Sequence, residues 1–361
     1  IRKNIKIMSK PIKTMQVVGA GKPGGAEKFY FRLVKAFHEK PNNVVEVLPV
    51  VREDSWLAER LDAHGIPYKT APFGGMFDFQ TRKQLEDLIL TWQPDVIQTW
   101  MNRASKFLPK TDVPTVGRLG GYYNLKYYKN CDHLIGNTED LVRYIYSQDW
   151  PHGNASYVPN FVDVPREDFR DHRLDVRDEY GIPENAKVIF MAGRLHENKG
   201  LDIALYALSK LPENVYMVIA GTGPEESALK AAIEADGLTS RVRFVGWVNS
   251  ITPLFAAADY FMVPSRIEPL GNVVLEAWAH RMPIIATDAV GPKNLIRHEE
   301  TGLLVPREAD KALAFAVEKL LDNPGLAESI AREGHREVKR HFTQETVVEQ
   351  YLKLYRKLTK A

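Results

Sequence analysis

Short apolar runs of strand length alternate with longer amphipathic stretches along almost the whole chain. Residues 14–20 (TMQVVGA), 44–51 (VVEVLPVV) and 95–100 (DVIQTW) read as strands, while 26–40 (AEKFYFRLVKAFHEK) and 81–93 (TRKQLEDLILTWQ) repeat apolar side chains at helical spacing. Strands separated by helix-length segments build βαβ units, so the pattern predicts parallel sheets. A helix over 55–65, strands over 68–73 and 114–120, a helix–strand stretch over 127–138, a helix from about Glu139 and a strand over 155–163 complete this half.

The alternation then breaks. Residues 164–175 are rich in Pro and charge and read as a linker, with a short helix near 176–180. A second series begins at 187–195 (KVIFMAGRL) and runs through strands over 215–221, 242–248, 260–265, 283–289 and 302–305, with helices between them. The pattern predicts two α/β domains, residues 1–165 and 176–342. In the final stretch, 343–361, Val347, Val348, Tyr351, Leu352, Leu354, Tyr355 and Leu358 share one helical face that must be buried; the expectation is that it packs back on the N-terminal domain.

Composition narrows the class. With 44% hydrophobic and 26% charged residues in 361, the chain belongs with soluble globular proteins. No apolar run approaches the roughly 18 residues that span a bilayer, and the first residues lack a secretory pattern, so a cytoplasmic location is expected. A lone cysteine, Cys131, excludes an internal disulfide and a cysteine metal cluster and reads as a buried thiol. Net charge is only +2, but residues 1–40 carry ten Lys or Arg against Glu27 and Glu39. That patch suits anionic lipid headgroups or an anionic acceptor, and equally a solvated tail and helix face. No nucleic-acid partner is expected.

The first strand is followed by VVGAGKPGGAE, a G-x-G-x-x-G at Gly19, Gly21 and Gly24. Such a loop suits a dinucleotide pyrophosphate, another anion or a structural turn. Against the first, the next strand ends in Arg52-Glu53-Asp54, later than the ribose-binding acid usually falls.

The second half carries sharper signals. In GRLHENKG, Arg194 and Lys199 leave the carboxyl end of a strand, where open α/β sheets bind ligands, and two cations there suit a diphosphate. In SRIEPLGNVVLE, Glu268 lies on a loop and Glu276 about one turn inside the next helix, so carboxylates for hydroxyls flank helix-start amides for an anion. A glycosidase-type acid/base pair competes, but the neighbouring cations favour a charged donor.

Together these motifs resemble the retaining family 4 glycosyltransferases of GT-B fold: G-R-L-x-x-x-K-G at Gly193–Gly200, and two glutamates with seven residues between them, Glu268 and Glu276. AGTGP at 220–224, VRFVG at 242–246, PNFVD at 159–163 and EETGLLV at 299–305 support the likeness. It implies two Rossmann-like parallel-sheet domains facing an interdomain cleft, with a nucleotide-sugar donor held in the C-terminal domain and the acceptor mainly in the N-terminal one. It further implies Arg194, Lys199 and Glu268 as catalytic residues. Donor contacts would come from Gly24, Gly25, Asn160, Gly193, Gly221, Trp247, Val248, Leu270, Gly271, Asn272, Val273 and Glu276. No cofactor is required in that family, and no Asp-x-Asp at a strand end offers a metal site.

Many relatives carry a histidine after the strand that here reads DVIQTW; Trp100 takes its place, with Asn102 and Arg103 beyond. Trp100 is either a sugar-stacking platform or a core residue. With Arg118, Tyr122, Tyr123 and Lys126 from GRLGGYYNLK, these residues form the expected acceptor side. The acceptor is then an anionic glycolipid or oligosaccharide of the lipopolysaccharide-core kind, reached by peripheral association with the inner membrane. A soluble acceptor, a dinucleotide-dependent oxidoreductase and a non-catalytic sugar-nucleotide binder are the alternatives.

Overall fold

The computed structural model describes residues 10–41, 44–75 and 78–360. Arg2, Lys3 and Lys6 of the basic stretch lie outside them. The chain divides into two compact units, Ile1–Asn160 with Gln344–Ala361, and Phe161–Thr343.

Unit 1 contains β1 (Ile12–Val18), β2 (Val45–Arg52), β3 (Lys69–Ala71), β4 (Val96–Trp100), β5 (Thr115–Arg118), β6 (His133–Gly136) and β7 (Ala155–Tyr157) in the order β3-β2-β1-β4-β5-β6-β7. Every pairing is parallel, with Met15 opposite Leu48 on one side and Ile97 on the other. Side chains alternate across β1 as strand geometry demands. Met15 and Val17 join a core with Val50, Ile97 and Leu134, whereas Thr14 and Gln16 meet the last helix, Gln344–Leu358. There Gln16 Nε2 donates to the Tyr355 hydroxyl at 2.9 Å, and that hydroxyl donates to Gln98 Oε1 at 2.8 Å.

Unit 2 contains β8 (Lys187–Ala192), β9 (Val215–Ala220), β10 (Val242–Gly246), β11 (Tyr260–Val263), β12 (Ile284–Thr287) and β13 (Leu303–Val305), ordered β10-β9-β8-β11-β12-β13 and all parallel. β8 is apolar throughout its centre because both faces are covered: Ile189 and Met191 enter one core, Val188 and Phe190 the other. Two Rossmann-like parallel-sheet domains are thus present.

Two local expectations need correction. The strand expected over 155–163 ends at Tyr157, and Pro159, which has no N–H to give a ladder, lies just beyond. The stretch 164–175, expected as a linker, carries a 3-10 segment, Glu167–His172, and the start of a helix, Arg173–Glu179. Arg173 and Arg177 lock that helix onto unit 2 by sharing the Asp259 carboxylate at 2.7 and 2.9 Å, and Arg177 also donates to the Ala257 carbonyl.

Candidate active site

Strand order reverses at one place in each sheet, where β1 lies between β2 and β4 and β8 between β9 and β11. Loops leaving the carboxyl ends of such strands diverge and open a crevice, the usual ligand position in open α/β sheets. In unit 2 its lips are the two motif loops. Gly193, Arg194, Lys199, Ser265, Glu268 and Val273 line a cavity of about 20 Å³, room for about one water.

Lys199 Nζ donates to Glu268 Oε2 at 2.5 Å, and the glutamate side chain is 10% exposed. Arg194 is exposed and its side chain makes no ion pair among the described residues. Glu276 is half-buried on the Asn272–Ala279 helix, and its carbonyl accepts from His280 Nδ1 at 2.7 Å. Since a carbonyl only accepts, Nδ1 carries the proton and Nε2 accepts from Thr252 Oγ1 at 2.9 Å. Burial pushes the His280 pKa down to about 4, with Arg170 adding to the depression.

Backbone packing explains two of the glycines. Gly271 has φ +68 where it opens the Asn272–Ala279 helix, and a Cβ there would stand 2.9 Å from Leu295 Cδ1. At Gly221, φ is +138 and a Cβ would fall 1.8 Å from the Gly193 carbonyl oxygen, so no other residue fits. Leu270, Asn272 and Val273 are half-buried around the helix start. Beyond β10, Trp247 is 66% exposed while Val248 packs on the core.

One residue of this loop system was not singled out in the sequence. Arg266 forks onto both Asp202 carboxylate oxygens at 2.8 Å, donates to the Glu197 carbonyl at 2.9 Å and reaches Glu308 at 2.6 Å. It ties the Glu268 loop to the Lys199 loop, and the Ile267 N–H to the Asn198 carbonyl adds a second tie at 3.1 Å. The fork holds the Asp202 carboxyl below the ordinary range. Arginine beside a motif glutamate reads as a solvated charge in the sequence; its partner lies 64 residues away.

In unit 1 the residues expected on the acceptor side part company. Trp100 is fully buried, edge-on to Tyr30 at 5.2 Å, with Nε1 donating to Gln16 Oε1 at 2.8 Å. It is a core residue, and the sugar-stacking expectation is corrected. Arg118 is 1% exposed: Nε donates to the Tyr351 hydroxyl at 2.7 Å, Nη2 to Asn160 Oδ1 at 2.5 Å, and the guanidinium sits over the Trp100 and Phe29 rings at 4.6 and 4.8 Å. Its place on the acceptor side is also corrected, since every face is occupied within the fold. Asn160 is buried with it.

Asn102, Arg103 and Tyr123 do gather, with the buried Trp100 also in the wall, at a cavity of about 290 Å³ beside Gly19–Gly21, in the crevice between β1 and β4. Tyr122 and Lys126 do not line it: Tyr122 donates to the Asp140 carboxylate, burial and that bond push its pKa up to about 12, and Lys126 lies over the Tyr127 ring at 5.0 Å.

Gly24 precedes the Gly25–His38 helix, and a Cβ on it would meet Glu27 Oε2 at 2.5 Å. The Glu27 carboxylate accepts from the backbone of Gly24 and from its own amide, yet burial still raises its pKa. The helix start that the sequence offered to a ligand phosphate therefore holds the chain's own carboxylate, and nothing stands within 4 Å of where a Cβ on Gly25 would be. The basic stretch is likewise partly consumed: Lys13 donates to the Trp92 carbonyl and lies over its ring, and Lys40 pairs with Glu349 at 2.9 Å. Cys131 is buried, with a pKa pushed up to about 12. Among the described residues no helix is long and apolar enough to cross a membrane, and no group of three or more His, Cys, Asp or Glu is placed to hold a metal ion.

Comparison with known proteins agrees with this arrangement. Residues 173–337 match the family described as glycosyl transferases group 1. Two proteins of Rhizobium meliloti (strain 1021) are similar along nearly their full length. The lipopolysaccharide core biosynthesis glycosyltransferase LpsD is 31% identical over 93% of this chain and 96% of its own. LpsE, of the same description, is 30% identical over 92% and 96%. Among solved structures, Anabaena HepE, crystallised with UDP, superposes with a TM-score of 0.81 at 21% identity over 95% of this chain and 99% of its own; it has also been solved with UDP-glucose. With the β8 and β11 motif loops gathered at one crevice and relatives matched from end to end, the chain belongs to the group 1 glycosyltransferases.

Proposed function

We propose that this glycosyltransferase moves a hexose from a UDP- or GDP-sugar to a glycolipid of the lipopolysaccharide core or a related cell-envelope glycan, with retention of anomeric configuration and no required metal. The observation that carries the donor side is the convergence of Arg194, Lys199 and Glu268 on one cavity in unit 2. Two cations there match a diphosphate, and amides at the start of the Asn272–Ala279 helix add donors for the same charge. Glu276 accepts from ribose hydroxyls, and Glu268 orients the sugar. UDP and UDP-glucose in the HepE crystals, and the descriptions of LpsD and LpsE, support donor and acceptor class respectively.

In the reaction, the bond from the anomeric carbon to the diphosphate oxygen breaks while the acceptor hydroxyl oxygen bonds to the same face of that carbon. The hydroxyl proton passes to the departing phosphate oxygen. Arg194 and Lys199 offset the charge that develops on the diphosphate, the type of electrostatic assistance that usually dominates in enzymes. Peripheral binding to the membrane bearing the glycolipid is part of the proposal, and co-sedimentation with anionic vesicles tests it. The central test incubates the full chain with UDP- and GDP-hexoses and core glycolipid, with and without EDTA, and reads the product's anomeric configuration by NMR. Turnover with retention in EDTA is expected; no transfer from any of these donors overturns the reading.

A further inference from the structure

The larger cavity lies in unit 1. It sits in the crevice between β1 and β4, the counterpart by topology of the one that holds Lys199 and Glu268 in unit 2. Its chemistry differs. Arg52 ends β2 and leans over the glycine loop, so a Cβ on Gly21 would stand 3.4 Å from its Nη1. Arg103 lines the same cavity: a Cβ on Gly19 would meet its Cγ at 2.9 Å, and Nη1 donates to the Phe73 carbonyl at 3.1 Å. Neither guanidinium has a carboxylate partner among the described residues. Asn102 also lines the cavity, and its Oδ1 has no hydrogen-bond partner within the protein. Met101, next to it, holds φ +59, a left-handed conformation that a side-chain-bearing residue adopts at a cost.

Two forked cations at a glycine loop match a carboxylate or a phosphate monoester, and the bare amide oxygen matches a hydroxyl. We infer that Arg52 and Arg103 form a clamp for an anionic substituent on the acceptor sugar, with Asn102 taking one of its hydroxyls. The inference rests on the proposed function and adds to it: the enzyme selects its acceptor by charge, and Arg52, at the end of β2, is a specificity residue. The two arginines raise acceptor affinity and leave the donor untouched.

The test uses the full-length protein and lipid-free core oligosaccharide in three forms: native, carboxyl-reduced and dephosphorylated. Binding is read by calorimetry, separately from transfer. Arg52→Gln and Arg103→Gln are each expected to weaken native oligosaccharide binding about tenfold, as loss of one charge-assisted contact does. Arg52→Lys should recover part of it, and UDP-glucose affinity should not change. The neutralised form that binds the wild type as weakly as the variants bind the native one identifies the anion as carboxylate or phosphate. Equal wild-type affinity for all three forms, failure of the native form to bind, or weakening of UDP-glucose instead overturns the clamp. Intact charge-dependent binding without transfer from any nucleotide sugar overturns the proposed function alone.

Discussion

Lys199 Nζ and Glu268 Oε2 form a 2.5 Å ion pair on the walls of the unit 2 cavity. The cation assigned to the diphosphate is therefore already committed to the carboxylate assigned to the sugar, so donor binding must share or exchange that partner. Lys199→Ala removes the cation proposed to meet the diphosphate and strands a carboxylate that is 10% exposed. Turnover should fall about 10²- to 10³-fold, the usual loss for one transition-state donor. Stability should fall by about 1–3 kcal/mol, less than for a wholly buried pair because the lysine is 28% exposed. Lys199→Ala with Glu268→Gln should restore the melting temperature without restoring turnover. If the double variant melts no higher than Lys199→Ala, the pair does not carry the stability loss.

Arg266 holds the two motif loops in register through a fork on Asp202 and the Glu197 carbonyl. Lysine keeps the charge but cannot make the fork. Arg266→Lys should raise the Kd for UDP-glucose by about tenfold through looser placement of Lys199 and Glu268, with a loss in stability below about 1 kcal/mol, since Asp202 is largely exposed. Isothermal titration with UDP-glucose and a thermal melt check both halves; unchanged affinity would remove Arg266 from the donor site.

Much of this architecture was legible in the chain. The continuous apolar runs in 187–195 and 215–221 became β8 and β9 because both faces of a parallel strand are covered, and the GRLHENKG and SRIEPLG loops follow the ends of β8 and β11. Arg118 departs from its expected place for a physical reason, and Trp100 takes the core alternative of its two readings. Residue type suggested a polar surface, whereas a guanidinium packed against the Phe29 and Trp100 rings and bonded to Tyr351 and Asn160 is satisfied in the interior. Such satisfaction depends on partners 233 and 42 residues away, which periodicity does not reveal. In the sequence Glu27 is one of two acids in a basic stretch, and only the fold shows its carboxylate turned back on Gly24.

Acid should loosen unit 2 from the end of the helix that carries Glu276. The His280 pKa is pushed down to about 4 from 6.5 by burial, so the folded state resists a proton that the unfolded chain accepts. Between pH 6.5 and about 4 the unfolded state binds more protons, and stability rises with pH across that window. Its contribution is complete above 6.5 and lost by about 4, a difference of roughly 3 kcal/mol. His133 in unit 1 is depressed to about 4 as well, by burial and the charge of Lys357. His280→Gln should therefore lessen the pH dependence of unit 2, leaving the part due to His335, which burial also lowers, while the slope from unit 1 persists. Calorimetric melts from pH 4 to 7 distinguish the two, and an unaltered slope in the variant would remove His280 from the acid transition.

The corrected place of Trp100 leads to the opposite kind of outcome. Its indole N–H bonds Gln16 Oε1 and its ring faces the Arg118 guanidinium, so although it borders the unit 1 cavity its fully buried ring has no open face for a sugar. Trp100→Phe leaves the Gln16 acceptor unpaired and weakens the cation–π contact, at a cost of about 2–4 kcal/mol from the two together. Tyr351→Phe should cost about 1–3 kcal/mol, because Arg118 Nε loses its acceptor inside a site that water does not reach. The two changes touch one network, so their costs should fall short of additive in the double variant. At a temperature where Trp100→Phe is fully folded, its KM for core oligosaccharide should equal that of the wild type. A raised KM with unchanged kcat would return Trp100 to the acceptor side.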